Sequence, residues 1–231
     1  MRDLVDLYFE EHSIVNHHIA SFNDFIASEG KPDNRMQAIL DDMRIPTDDA
    51  ERGMIKLDKD RTGGVQYYIR IGRQRDESGN IDHQAPATIH VAPPTIKEAN
   101  GYKHDLTPME ARLRNVTYEA SVEVDFTLYK EDSDGRLVLA DPNRNPPYER
   151  VEVGKLPIMV KSRGCVLDRA NIEKAEERDL NDSEYLQKLI EAKEDPRDPG
   201  GYFIIGGTER VLITLEDLAP NRVMVEYSER Y

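Results

Sequence analysis

The sequence predicts an α+β fold, with helices at the start and a mixed, largely antiparallel sheet after them. Three observations carry this expectation. Apolar residues recur at helical spacing through about residue 45. From residue 54 the apolar period shortens to 2, and tight turn clusters separate the strand-like runs that follow.

In the helical start, Leu4, Val5, Leu7 and Tyr8 sit among acids, the pattern of a short amphipathic helix over residues 2–10. Ile14, Val15, His18, Ile19, Phe22, Phe25 and Ile26 form an i, i+4, i+7 stripe that predicts a second helix over 14–27. Lys31-Pro32-Asp33 breaks it. Met36, Ile39, Leu40 and Met43 mark a third helix, ending before Pro46.

The β-rich stretch spans about 54–165. Val65, Tyr67, Ile69 and Ile71 alternate with Gln66, Tyr68 and Arg70, and the turn cluster at 76–80 predicts that 88–91 pairs back on that strand. Pro93-Pro94 closes the unit. Thr107-Pro108-Met109-Glu110 has the form of a capping box with proline at the first helical position, so Glu110 is expected to reach back to the cap. A short helix through Arg114 follows. From Val116 to Leu128 apolar and polar residues alternate strictly, which predicts one long, half-buried strand. Asp132-Ser133-Asp134-Gly135 turns it into a second strand over 137–139. After the rigid loop 141–147, strand-like pieces are expected at 151–153 and 156–160. An acidic helical insert over 171–194 has Tyr185, Leu186, Leu189 and Ile190 as its apolar stripe. Residues 195–201 stop it. A terminal hairpin over 200–214 is predicted to run through 202–205, turn at Gly206-Gly207 and return through 211–214.

Composition bounds the function. At 231 residues with 45 acids, 31 bases and a net charge of −14, the chain can bury a core but lacks a whole-protein basic footprint for nucleic acid. The excess is uneven: residues 1–100 carry −6, residues 101–170 only −1, and residues 171–231 carry −7. An anion-binding face is therefore expected in the middle segment. No apolar run reaches the length of a membrane span, and the acidic N-terminus does not resemble a signal peptide. A single cysteine, Cys165, excludes an internal disulfide and any multi-cysteine zinc site, and a reducing, cytoplasmic setting is the expectation.

Candidate sites divide between chemistry and plain structure. Gly200, Gly201, Gly206 and Gly207 lack the spacing of either phosphate-binding glycine motif and precede a strand, so they are expected to be structural turn residues. Asp132 and Asp134 could be a metal pair, but between two strands they suit a turn better, and no third oxygen ligand is spaced to help. His12, His17 and His18 are expected to be packed or surface histidines rather than metal ligands, and Cys165 a small buried residue near a turn. No nucleophile–base pair, carboxylate constellation or metal site is legible. The basic residues Arg112, Arg114, Lys161, Arg163 and Arg210 remain. Arginine's planar fork serves internal carboxylates and phosphates equally well, so the residues alone leave both readings open.

Five stretches add a resemblance. HHIASFNDFI (17–26), TPMEARLRNVTY (107–118), LPIMVKSRGC (156–165), DPGGYFIIGGTERVLI (198–213) and EDLAPNR (216–222) resemble, in order and spacing, the N-terminal part of the second-largest subunit of multisubunit DNA-directed RNA polymerase, most closely its archaeal form. Gly206 stands where that family commonly has asparagine, a change that preserves the turn because both residues tolerate a left-handed backbone. The resemblance implies that residues 1–231 are a protrusion-like region on one wall of the DNA cleft. It implies as partners the other polymerase subunits, the DNA template and the RNA–DNA hybrid. Arg210 is the leading candidate for nucleic-acid contact, with Arg112, Arg114, Lys161 and Arg163 behind it. It further implies that the catalytic magnesium is held by another subunit, so this chain holds no cofactor and is inactive alone. Lobe and later domains would be absent, as in a truncated or split subunit. The alternative reading is a purely structural scaffold that contacts neighbouring subunits without touching nucleic acid.

Overall fold

A computed structural model of the chain describes residues 8, 13–26, 34–42, 54–59, 64–73, 85–215, 217, 218, 223, 225 and 227. It is α+β, as the sequence predicts: five helices of six residues or more accompany three antiparallel sheets among the described residues. Most of the predicted 2–10 helix, the turn cluster at 76–80, His12 and Met43 lie outside the described residues.

The first helix, α1 (Asn16–Phe25), buries Phe22, and Ile26 just beyond its end is also buried. The stripe begins later than the sequence suggests, since Ile14 precedes the helix and is exposed. Helix α2 (Arg35–Asp41) is capped by Asn34, whose side chain accepts the Gln37 N–H at 2.8 Å. Its buried face is polar as well as apolar, and Ile39 of the expected stripe is exposed. Met36 and Leu40 pack on the sheet. Gln37 accepts the backbone N–H groups of Thr88 and Ile89 at 2.8 and 3.2 Å and donates to Asp41 and Thr88 at 2.9 and 3.1 Å. Asp41 in turn accepts from the Arg73 backbone and guanidinium, both at 2.8 Å, with the two side chains each 2% exposed. A buried ion pair persists when its polar atoms are also hydrogen-bonded, as both Asp41 carboxylate oxygens are here.

The main sheet is built on β6 (Glu119–Glu131), thirteen residues long. β1 (Met54–Lys56) pairs with β2 (Tyr67–Ile71), and β2 with the distal half of β6. β3 (Ile89–Val91) pairs with β6 through Ile89↔Val124, not with β2 as expected. The strand that separates them comes later in the chain, and a hairpin inferred from neighbouring turn residues cannot anticipate an inserted strand. β7 (Leu137–Leu139) and β8 (Glu149–Pro157) also pair with β6. The two strand-like pieces predicted at 151–153 and 156–160 are thus one strand that ends earlier, with a register shift opposite Val122/Glu123. Ala120, Val122 and Val124 point inward from β6 as the alternation demands, while the buried Asp125 is held by Arg150 at 2.8 Å. The predicted alternation starts too early: Val116 and Tyr118 precede the strand, and the Tyr118 N–H bonds to Ile204 instead.

A small hairpin, β4 (Thr95–Lys97) with β5 (Lys103–Asp105), leads into α3 (Pro108–Leu113). Thr107 caps α3 by accepting the Glu110 N–H at 3.2 Å. The Glu110 carboxylate does not reach back as the capping box predicts; Arg114 takes it at 2.8 Å and His104 at 3.2 Å. The acidic stretch predicted as one helix is two, α4 (Arg169–Glu176) and α5 (Asp182–Glu191). Glu177 adopts a left-handed backbone with φ 56°, and Asn181 starts a new helix with a full capping box, exchanging bonds of 2.9 and 3.0 Å with Glu184. The principal core lies between these helices, α1 and the proximal half of β6, around Tyr118, Ile158, Val160, Leu189 and Ile204.

Candidate functional site

The terminal hairpin is shorter than predicted. β9 (Phe203–Ile205) pairs with β10 (Thr208–Arg210) across Gly206-Gly207, so Arg210 ends the return strand and 211–214 lie beyond it. Both turn glycines have positive φ, 56° and 76°, as a primed turn requires. Their surroundings differ. A Cβ on Gly207 would stand 2.7 Å from the Asn115 Cα, whereas one on Gly206 would meet nothing. Gly200 and Gly201 are also enclosed, against Val160 and Val15. Close packing accounts for Gly200, Gly201 and Gly207, and the left-handed turn backbone alone for Gly206.

The five basic candidates go different ways. Arg112 is drawn inward: it donates to Glu194 at 2.9 and 3.2 Å, to Glu209 at 2.8 Å and to the Tyr202 hydroxyl at 2.6 Å. Burial works against its charge, but Glu194 and its other partners outweigh that and raise its pKa further above the ordinary value. For Glu194 burial is the larger effect and pushes its carboxyl up, against the pull of Arg112. Arg114 binds Glu98 at 2.5 and 3.1 Å and Glu110 at 2.8 Å. Lys161, at a positive φ of 61°, donates to the Asp198 carbonyl. Arg163 is exposed, and its guanidinium helps to draw down the Asp168 carboxyl against the larger effect of burial. Arg210 is exposed; its backbone pairs with Phe203 in the hairpin, and its guanidinium makes no hydrogen bond or ion pair with any described residue.

Arg210 borders a cleft of about 640 Å³ between α1 and the hairpin. Phe22, Phe203 and Met159 form part of its lining, Val211, Leu212 and Ile213 another part, with His17, His18 and Arg35 on the α1–α2 side. The cleft is not legible in the sequence, because α1 and the hairpin are about 180 residues apart along the chain. The His17 and His18 rings lie 4.0 Å apart and tilted by 39°, and no described ligand group joins them.

Cys165, Asp132 and one His–carboxylate group bear on hydrolytic or metal chemistry among the described residues. No serine, threonine or cysteine among them is hydrogen-bonded to a histidine; Cys165 is fully buried and accepts from the Tyr118 hydroxyl at 3.4 Å. Asp132 accepts the Ser133 N–H at 2.7 Å, the turn role expected of it. One group of three possible metal ligands, Glu98, His104 and Glu110, does converge, and Arg114 already pairs with both carboxylates. No helix among the described residues is long and apolar enough to cross a membrane.

Fold and site therefore define an α+β chain whose basic candidates are largely committed to internal pairs, with a cleft bordered by an arginine whose guanidinium pairs with no described residue. Its residues 13–224 match the profile of the family described as RNA polymerase beta subunit, and the chain belongs to that family. It is similar to DNA-directed RNA polymerase subunit Rpo2N of Methanocaldococcus jannaschii, 37% identical over 100% of this chain and 35% of the relative. The Halobacterium salinarum Rpo2N is 32% identical over 100% of this chain and 35% of its own length. Subunit Rpo2 of Saccharolobus solfataricus is 33% identical over 96% of this chain and 14% of its own. The chain thus spans about a third of the Rpo2N relatives and a smaller share of Rpo2.

Proposed function

We propose that this chain is the non-catalytic N-terminal part of the second-largest subunit of an archaeal-type RNA polymerase, forming one wall of the DNA cleft, with Arg210 turned toward the nucleic acid. Family membership supports the transcriptional role. The observation that carries the finer reading is the guanidinium of Arg210, unpaired among the described residues, at the end of a two-glycine hairpin where strand pairing with Phe203 fixes its backbone. Such a group contributes by neutralising a phosphate and releasing counterions, which an acidic chain can do locally. On this reading the assembled enzyme performs nucleotidyl transfer in the cytoplasm, with magnesium held by another subunit and the template and RNA–DNA hybrid as partners. Arg112, Arg114 and Lys161 then serve the wall's internal architecture, and Arg163 is a second, weaker contact.

The test is Arg210→Ala in polymerase reconstituted with the remaining subunits. The elongation complex is expected to lose salt resistance, with the slope of log affinity against log salt reduced by about 1. The melting temperature of the chain should not change. An unaltered salt slope would favour the purely structural scaffold.

A further inference from the structure

We propose that the cleft between α1 and the β9–β10 hairpin docks an extended segment of a neighbouring protein chain, apolar at its centre and flanked by carboxylates, which adds as a strand beside β10. This goes beyond the nucleic-acid reading and does not depend on it.

Three features of the site point to that occupant. The first is shape and polarity: the cleft of about 640 Å³ is walled by Phe22, Phe203, Leu156, Met159 and the run Val211–Ile213. Its polar groups are few, which suits aliphatic and aromatic side chains better than the hydrogen-bonding edges of a base. The second is an open edge. β10 pairs only with β9 among the described residues, and the continuation through Val211, Leu212, Ile213 and Leu215 is exposed, with Ile213 at 92%. An unpaired strand beside an apolar run is a template for strand addition. The third is charge. The chain carries 45 acids, yet no described Asp or Glu lines this cleft, while His17, His18, Arg35 and Arg210 do. Arg35 is partly neutralised by Asp24 at 2.9 Å, outside the lining. Within a screening length of about 8 Å the cleft therefore favours carboxylates over amines, against the sign of the whole chain.

The experiment uses the whole chain and a fluorescein-labelled peptide, Asp-Glu-Val-Phe-Val-Leu-Glu-Asp, followed by fluorescence anisotropy. Its counterpart has lysine at all four acidic positions. The acidic peptide is expected to bind at least tenfold more tightly, and less so as salt is raised. Ile213→Asp should reduce binding tenfold or more, and His17→Glu should narrow the preference for the acidic peptide. Both side chains are on the cleft lining, and Ile213 is so exposed that its variant should melt as the parent does. Arg210 is left untouched, so that failure here and failure of the nucleic-acid reading can be told apart. Equal binding of the two peptides overturns the proposal. So does tighter binding of an oligothymidylate lost in Ile213→Asp, or self-association of the chain that the acidic peptide does not compete.

Discussion

Arg112 and Glu194 are separated by 82 residues of sequence, yet the guanidinium meets the carboxylate at 2.9 and 3.2 Å. The pair joins α3 to the turn after α5, and through Glu209 and Tyr202 it reaches both sides of the terminal hairpin. A middle-segment charge that could have served a phosphate thus holds together three elements around the core. Removing Arg112 strands a carboxylate whose side chain is only 4% exposed. We expect Arg112→Ala to destabilise the chain toward the lower end of the about 3–5 kcal/mol seen for broken buried pairs, because Arg112 itself is partly solvated. Glu194→Gln should cost less, since an amide needs no counter-charge. Urea unfolding of the two variants checks the order; equal small losses would count against it.

The two turn glycines should respond differently to substitution. Gly207→Ala forces a side chain into a φ of 76° and against the Asn115 backbone. The backbone conformation alone costs about 1–3 kcal/mol. Gly206→Asn meets open space and a left-handed φ that asparagine accepts, so stability should stay within roughly 0.5 kcal/mol of the parent. Thermal melts of both variants decide this, and a destabilised Gly206→Asn would show that the turn carries a constraint beyond its dihedral angles.

Acid should weaken the fold. Hydrogen bonds from Arg114 hold the Glu98 and Glu110 carboxyls below their usual range; Arg169 does so for Glu173, Lys188 for Glu176 and Arg178 for Glu184. A depressed folded pKa adds stability above the unfolded value, near about 4.3 for glutamate, and loses it as pH falls through the lower folded value. Glu194 and Asp168, raised chiefly by burial, have the opposite sign and only soften the trend. Melting temperature should therefore decline below about pH 4.5, and less steeply at high salt, because these pairs are largely solvent-accessible. A flat profile down to about pH 3 would reject the assignment.

Cys165 should be silent in the folded chain. Burial raises its thiol pKa, and Tyr118 covers the sulfur. A thiol reagent at about pH 8 should label it only after unfolding; rapid labelling of the native chain would mean that this part of the core opens readily.

Local order was legible in the sequence wherever one segment dictates its own hydrogen bonds. Thr107-Pro108 starts α3, Asp132 to Gly135 turns β6 into β7, and the alternation along β6 buries Ala120, Val122 and Val124. Even the break between α4 and α5 was written in Asn181 and Glu184, a capping pair that the continuous acidic run obscured. Tertiary structure decided what depends on partners distant in the chain. It put β6 between β2 and β3, gave Arg112 to Glu194 and Arg114 to Glu98, and left the Arg210 guanidinium unpaired among the described residues, beside a cleft shared by α1 and the hairpin. The physical reason is that periodicity and capping are short-range, whereas a guanidinium binds whichever carboxylate or phosphate the folded chain brings within about 3 Å, and spacing along the sequence does not encode that distance.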